Sequence, residues 1–400
     1  MCAFERSEKG MEFNMKISLA TNYENELIEQ IKGYPIYEIY GKLKNDIIGG
    51  GRPDDELKNI EKIKFEDHVK KVRESGIKFN YLLNGSCLSN NEQDKEWQRT
   101  FIKFLEYLKS IGVNALTVTN PYVLQIVKKY FKDQFTVRIS TFACVDSYER
   151  ARYWEDMGAD IICADFVKIN RDFKTLKYMT ENLRHSKIEI LATNSCLKNC
   201  PMIFTHTTAL SHASDKTNGK EKYEDWSLFY CQEIQNEHEE EYIKSPWVRP
   251  EDIKYYEDIG IEHFKITERG FPTGELVKRV KAYTERKYNG NLIDLVQGHG
   301  CLQRDGEREL ERKEVKTREE IYNEIKRVRG LGCYRQYPRN IYIDNNKLNG
   351  FIDFFVNGKC SNNCSSCGYC KNISNKVITK NKEITEYLKE LYKKYDEFKI

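Results

Sequence analysis

The stretch FTVRISTFACVDSYERARYWEDMGADIICAD, Phe135–Asp165, decides the fold. Phe135–Ser140 is rich in β-branched and aromatic residues and stops at a Ser-Thr pair, as a strand does. Asp146–Met157 has the apolar spacing of a helix. Met157-Gly158-Ala159-Asp160 then reads as a helix C-cap running straight into a second strand, Asp160–Asp165. Strand, helix and strand joined by short connections make the βαβ unit of a parallel sheet.

Outward from this unit the same alternation runs from Lys16 to about Phe271. Further strands are expected at Lys16–Ala20, Ile36–Tyr40, Phe79–Leu83, Ala115–Thr119, Ile188–Ala192 and His263–Thr267. Helical patterns lie between them: Asp94–Ile111 carries Trp97, Phe101, Phe104, Leu105 and Leu108 on one stripe, and Arg171–Leu183 reads the same way. Eight strands, mostly followed by helices, predict an α/β fold of the (β/α)8, TIM-like barrel type. An open doubly wound sheet is the alternative, but no G-x-G-x-x-G follows the first strand. From about Asn289 the character changes. Lys313–Arg329 is a charged helix, Asn340–Asp344 and Phe351–Val356 read as strands, and a dense run of cysteines precedes a Lys/Glu-rich helix from Lys382. The chain thus divides into a polar leader (1–14), a barrel (15–290) and a small Cys-rich C-terminal domain (291–400).

Lys and Arg number 65 against 62 Asp and Glu, a net charge of +3, which argues against a protein whose work is to blanket phosphates or anionic lipid. Nucleic acid is left only a local groove, such as one lined by Lys128-Lys129 and Lys278-Arg279. A hydrophobic fraction of 40% excludes global disorder. No apolar run approaches the roughly 18 residues of a membrane span, and MCAFERSEKGMEFN has no apolar signal-peptide core. A cytoplasmic protein is expected. In that reducing compartment the 13 cysteines are read as metal or Fe–S ligands before disulfides, with Cys2 a passenger.

Two cysteine constellations stand out. Cys196-Leu-Lys-Asn-Cys200-Pro201 follows the seventh strand, so both thiols fall on the rim formed by the βα loops. Cys231, in the excursion before strand eight, and Cys87, after strand three, can reach the same face; Cys144 and Cys301 rival Cys87, while Cys163 lies inside a strand. Four thiolates suit a [4Fe–4S] cluster or a tetrahedral zinc. The second constellation, Cys360, Cys364, Cys367 and Cys370, puts four cysteines in eleven residues and predicts a second cluster, with zinc as the alternative and Cys333 or Cys301 as a remote substitute for one ligand. Its C-x3-C-x2-C spacing matches that of radical S-adenosylmethionine enzymes, but theirs follows the first strand of the barrel.

Other side chains at the rim are candidates for binding and proton transfer. Gly49-Gly50-Gly51-Arg52 either sets Arg52 over an anionic substrate group or is a flexible turn. Asn84 and Asn120, after strands three and four, are further substrate contacts, and His206 is a candidate proton carrier. Glu268 and Arg269 end strand eight. By strand alternation Lys265 and Thr267 face one way, Ile266 and Glu268 the other, and a buried Glu268 would take Arg269 or Lys265 as its partner. His206 and His212 are six apart and form no zincin helix; no G-x-S-x-G elbow and no Walker A loop occurs.

The stretch holding Cys196, Cys200-Pro201, Cys231, Ser245–Ile253 and Gly260-Ile261-Glu262-His263-Phe264-Lys265-Ile266-Thr267-Glu268-Arg269 resembles the collagenase-like U32 peptidase family, whose members carry a similar Lys-Ile-Glu-Gly-Arg run at the last strand. The resemblance covers about residues 16–288. It implies a [4Fe–4S] cluster on four cysteines and oxygen-independent hydroxylation of RNA bases or a quinone ring, for some relatives with a protein partner. This chain departs from the pattern: its first two cysteines are closer together, and Ser245–Ile253 holds no cysteine, so Cys87 is taken as the fourth ligand. Three functions compete: an anaerobic Fe–S tailoring enzyme acting on a nucleobase, quinone-like ring or peptide; a U32-type peptidase; and a non-catalytic Fe–S scaffold or electron conduit for a partner protein. A brown, iron-loaded preparation against a colourless, zinc-loaded one separates the metal classes.

Overall fold

The structure, a computed structural model, describes residues 14–44, 46–53, 57–214, 225–296, 310–330 and 341–398. Cys2, Cys301, Cys333 and the leader as far as residue 13 lie outside the described residues. Strands β1 (Lys16–Ala20), β2 (Ile36–Gly41), β3 (Lys78–Leu83), β4 (Ala115–Val118), β5 (Thr136–Ile139), β6 (Ile161–Cys163), β7 (Lys187–Leu191) and β8 (His263–Ile266) each pair in parallel with the next. β8 pairs back onto β1, Lys16 opposite His263, and closes a (β/α)8 barrel.

Local chemistry sets the element ends. Asp94 accepts from the N–H of Trp97 at 2.7 Å and starts the helix Lys95–Ser110; Ser147 and Asp172 cap Tyr148–Asp156 and Phe173–Asn182 in the same way. After Met157 the chain needs a left-handed residue, and Gly158 supplies it at φ +97°. Its N–H donates to Glu155 O at 2.8 Å, that of Ala159 to Trp154 O at 3.0 Å, and β6 follows at once.

Within each strand one set of alternate residues faces the helices and the other the barrel interior. Ile17, Leu19, Ile39, Phe79, Leu116, Val137, Ile190 and Phe264 pack outward beneath helix residues such as Phe65, Val69, Phe101 and Leu105. The interior is polar at mid-height. Arg138 pairs with Glu38 at 2.8 Å and also with Glu189; Asn80 Nδ2 donates to Glu38 Oε1 at 2.7 Å, and Ser18 Oγ to Glu189 Oε1 at 2.9 Å. Burial opposes charge on Glu38, but Arg138 overrules it and the carboxyl lies below its usual range. One guanidinium between two carboxylates is a fixed internal brace, since removing one partner would strand a buried charge.

The C-terminal segment docks on the barrel. β9 (Ile341–Ile343) pairs antiparallel with β10 (Ile378–Lys380), Ile343 opposite Ile378. The strand expected at Phe351–Val356 is instead a helical turn, Asp353–Val356, because Phe351, Ile352 and Phe355 are the buried residues and that one- and four-residue spacing belongs to a helix. Those residues, with Ile341, Leu348 and Val377, belong to the same apolar cluster as the layer between barrel and helices. Arg249, fully buried, ties the segment down: Nε donates to Asn345 Oδ1 at 2.9 Å and Nη1 to Leu348 O at 2.6 Å. A separate small core joins the helices Arg318–Gly330 and Lys382–Asp396 to Phe229.

Candidate active site

The C-terminal ends of the strands open into a mouth of about 170 Å³ lined by Arg52, Asn84, Cys196, His206, Glu268 and Arg269, with Tyr40, Lys265 and Asp225 among their neighbours. Six of the residues picked out by sequence therefore meet at one place. Glu268 gets there by breaking the strand alternation: its φ is +91°, a region costly for a residue with a Cβ. The twist turns its carboxylate over the end of β1 to Arg52, Nη2 to Oε2 at 2.6 Å. It thus forms an ion pair with Arg52, from the loop after β2, besides acting on the charge of Arg269. Lys265 lies over the Tyr40 ring, 4.3 Å from its centre.

Arg269 is left with an unused donor. Its Nη1 is buried and has no hydrogen-bond partner among the described residues. Burial pulls its pKa down and the neighbouring Arg52 guanidinium adds to this, while Tyr23 and Tyr40 work the other way. Asn84 Oδ1 is likewise buried without a partner. An orphan donor and an orphan acceptor thus line the same mouth. The glycine loop below them is a close-packed support and not a flexible turn. A Cβ on Gly49 would stand 2.3 Å from Ser211 O, and Gly50 N–H donates to Ser214 Oγ at 2.6 Å.

His206 Nε2 is 3.0 Å from Asp225 Oδ2. Asp225 also accepts from Leu228 N–H at 3.0 Å and caps the helix Trp226–Glu237, so the carboxylate that orients His206 is itself anchored. Sequence reasoning missed Asp225, whose signal was an Asp immediately before Trp226-Ser-Leu-Phe. Asn120 is placed elsewhere. Its side chain caps the helix Pro121–Phe131, accepting from Tyr122 N–H at 2.8 Å, and it does not line the mouth. That local bond outcompetes any role at the rim.

Three thiols gather at one edge. Burial pushes Cys196 well above the usual thiol range, and Cys231 and Cys200 add like-charge repulsion. Burial likewise raises Cys200, and takes Cys231 to about 12. Cys144 and Cys163 share an apolar cluster with Cys196 and Cys200. Cys87 is outside the apolar cluster that holds Cys196 and Cys200. Its neighbour Ser86 is tied through N–H and Oγ to Ser211 Oγ, at 2.8 and 3.0 Å, near the far end of the helix Ile203–Ala213. Cys200 precedes the start of that helix, and eight residues of it span roughly 12 Å. Among the described residues no three His, Cys, Asp or Glu side chains converge as a single metal ion requires. The donors at this edge are sulfur, the donor type that both a four-iron cluster and zinc take.

On the outer side of the same loop lies a larger cavity, about 480 Å³, bounded by Cys360, Cys364, Cys367, Cys370, Arg171 and Lys198. Lys198 Nζ stands 3.4 Å from Cys360 Sγ. Cys364 and Cys367 are exposed, whereas Cys360 and Cys370 pack against the main core.

A closed parallel barrel with a charged, partly unsatisfied mouth at its βα loops defines a TIM-barrel protein, a fold whose active sites sit on that C-terminal face. The chain belongs to peptidase family U32, whose model matches residues 55–323. It is 27% identical over 345 residues to the uncharacterized protease MJ1657 of Methanocaldococcus jannaschii, covering 86% of this chain and 89% of that one. Among solved structures it is similar to the U32 peptidase Mk0906, with 19% identity and a TM-score of 0.48 over 68% of this chain and 98% of that chain. No helix among the described residues is long and apolar enough to cross a membrane.

Proposed function

We propose that this U32-family chain is a cytoplasmic Fe–S enzyme that works without oxygen on a substrate bearing an anionic group, by hydroxylation or a related redox modification of a nucleobase, a quinone-like ring or a peptide. The observation that carries this reading is the orphan pair Arg269 Nη1 and Asn84 Oδ1, buried in a mouth that also holds the Cys196 thiol. Buried polar groups without partners are uncommon in proteins, and a pair of them lining one mouth suits a bound water, ion or ligand. Arg269 takes the anionic group through its planar fork, and Arg52, held by Glu268, lines the same mouth. Asn84 accepts from a donor on the substrate. His206, oriented by Asp225, moves a proton at the bound substrate. Cys196, Cys200 and Cys231 would hold a [4Fe–4S] cluster, which when bound supplies one-electron chemistry and, with three protein ligands, an iron position open to substrate. The electrons come from a donor protein.

The test is anaerobic purification with Mössbauer spectroscopy, together with thermal melting in inorganic phosphate. A four-iron signature diminished in Cys196→Ser/Cys200→Ser is expected, as is a phosphate-induced rise in melting temperature that Arg269→Ala abolishes. A colourless, zinc-loaded protein would overturn the cluster, and an equal phosphate response in Arg269→Ala the anion site. The peptidase reading draws on one observation, the His206–Asp225 pair at 3.0 Å. Its candidate nucleophile, Cys196, has its thiol pKa pushed up by burial, which disfavours attack on a peptide. Cleavage of unstructured peptides that disappears in His206→Ala would reverse the ranking.

A further inference from the structure

The cysteine loop of the C-terminal segment surrounds a cavity whose walls carry positive charge in the places an anionic group would need it. Lys198 Nζ reaches Cys360 Sγ at 3.4 Å from between Cys196 and Cys200. Arg171 is immobilised beside the loop. Nη1 donates to Ile243 O at 2.7 Å, Nη2 to Trp247 O at 2.9 Å, and the guanidinium lies over Trp247, 4.2 Å from the ring centre. Its Nε is buried without a hydrogen-bond partner, and no carboxylate forms an ion pair with it among the described residues. The carboxylates at the cavity edge are Glu240 and Asp172, and Asp172 is engaged with Thr175. Asp252, buried nearby, acts on Arg171 through space without forming an ion pair, and a buried cation with no directly paired counter-ion is expensive to keep. Four thiolates around iron and sulfide carry net negative charge, and would lie between these two cations.

We infer that Cys360, Cys364, Cys367 and Cys370 form a second, outer [4Fe–4S] site whose negative charge is met by Arg171 and Lys198, and that electrons reach the mouth through it. Cys364 and Cys367 face solvent, where a donor arrives, and the 196–200 loop joins this site to the mouth thiols within a few residues. The step is a one-electron transfer: a reduced donor loses one electron, the outer cluster gains and then loses it, and the inner cluster is reduced. The site itself is independent of the proposed function; only the relay rests on it.

The full chain is reconstituted anaerobically with iron and sulfide, and iron content is read alongside electron paramagnetic resonance after dithionite reduction. Cys364→Ser/Cys367→Ser should lose about half of the iron, and Cys196→Ser/Cys200→Ser the other half. Both substituted tail residues are exposed, so circular dichroism of the protein before reconstitution should show an unchanged melting temperature. Lys198→Ala should keep its iron and move the midpoint potential of the tail signal downward, because a lost cation makes the added electron less welcome. Reduced methyl viologen should reduce the inner cluster several-fold more slowly in the tail variant. Undiminished iron in the tail variant, zinc in place of iron, or an unmoved potential in Lys198→Ala would overturn the site, and equal reduction rates the relay. If Cys196→Ser/Cys200→Ser keeps all its iron while the tail variant loses all of it, the inner cluster fails and the outer site stands.

Discussion

Arg52 Nη2 stands 2.6 Å from Glu268 Oε2, so the loop after β2 is tied over the end of β1 to the residue just beyond β8. Glu268 makes that contact from a left-handed backbone, φ +91°. Substituting it by Ala or by Gly removes the ion pair equally, but only Ala keeps a Cβ in the disfavoured region. Glu268→Gly should therefore be more stable than Glu268→Ala by about 1 kcal/mol in urea denaturation. Coincident unfolding curves would show that no strain is held there.

The glycine loop makes a second prediction. Gly49→Ala drives a Cβ to 2.3 Å from the carbonyl oxygen of Ser211, which is backbone and cannot swing away. Gly33→Ala is the control: its φ is +82° but nothing lies within reach of the new methyl group, so only the left-handed penalty of about 1 kcal/mol applies. Differential scanning calorimetry should rank Gly49→Ala well below Gly33→Ala. The reverse order would mean that the loop can move without consequence.

Acid should act through Glu155. Burial opposes its charge, yet backbone N–H groups of His185, Ser186 and Arg184 bind the carboxylate and hold it at about 2. With the folded value depressed from 4.5, the stabilisation is complete above about pH 4.5 and is lost as the pH falls toward 2. Glu155→Gln should cost about 2–3 kcal/mol at neutral pH and nothing near pH 2, read from denaturant midpoints across that range. A pH-independent difference would assign the loss to packing instead.

Arg249 should be the clasp of the C-terminal segment. Replacing it by Met leaves Asn345 Oδ1 and Leu348 O buried without their donor, a loss of about 3 kcal/mol. Limited proteolysis should then release a fragment from the neighbourhood of residue 345 before the barrel is cut. Uniform resistance of Arg249→Met would show that the shared apolar core alone holds the segment.

The barrel was legible because eight apolar runs and their caps are local signals, and each observed strand lies within two residues of its expected ends. The Cys196–Cys200 loop was legible for the same reason: its place after β7 needs only the strand count. Glu38, Arg138 and Glu189 were not legible as a brace, since a charged residue inside an apolar run reveals its partners only when the barrel closes. The Arg52–Glu268 pair joins residues 216 apart, and strand alternation pointed Glu268 the wrong way because the left-handed turn at that residue has no glycine to announce it. Phe351–Val356 was misread because Phe, Ile and Val favour strands by composition, while the spacing of the buried residues followed a helix.

The Arg249 clasp has a consequence for the order in which the molecule is made. Arg249 leaves the ribosome 96 residues before Asn345, which at 5–20 residues per second is about 5–20 s. During that interval β8 already exists, so the ring of strands can close while the arginine and the apolar surface around Trp247 remain uncovered. The newborn barrel is thus a sticky object with a known exposed face, and the last part of the chain acts as its lid. Crowding several ribosomes on one message would bring those faces together before the lids arrive.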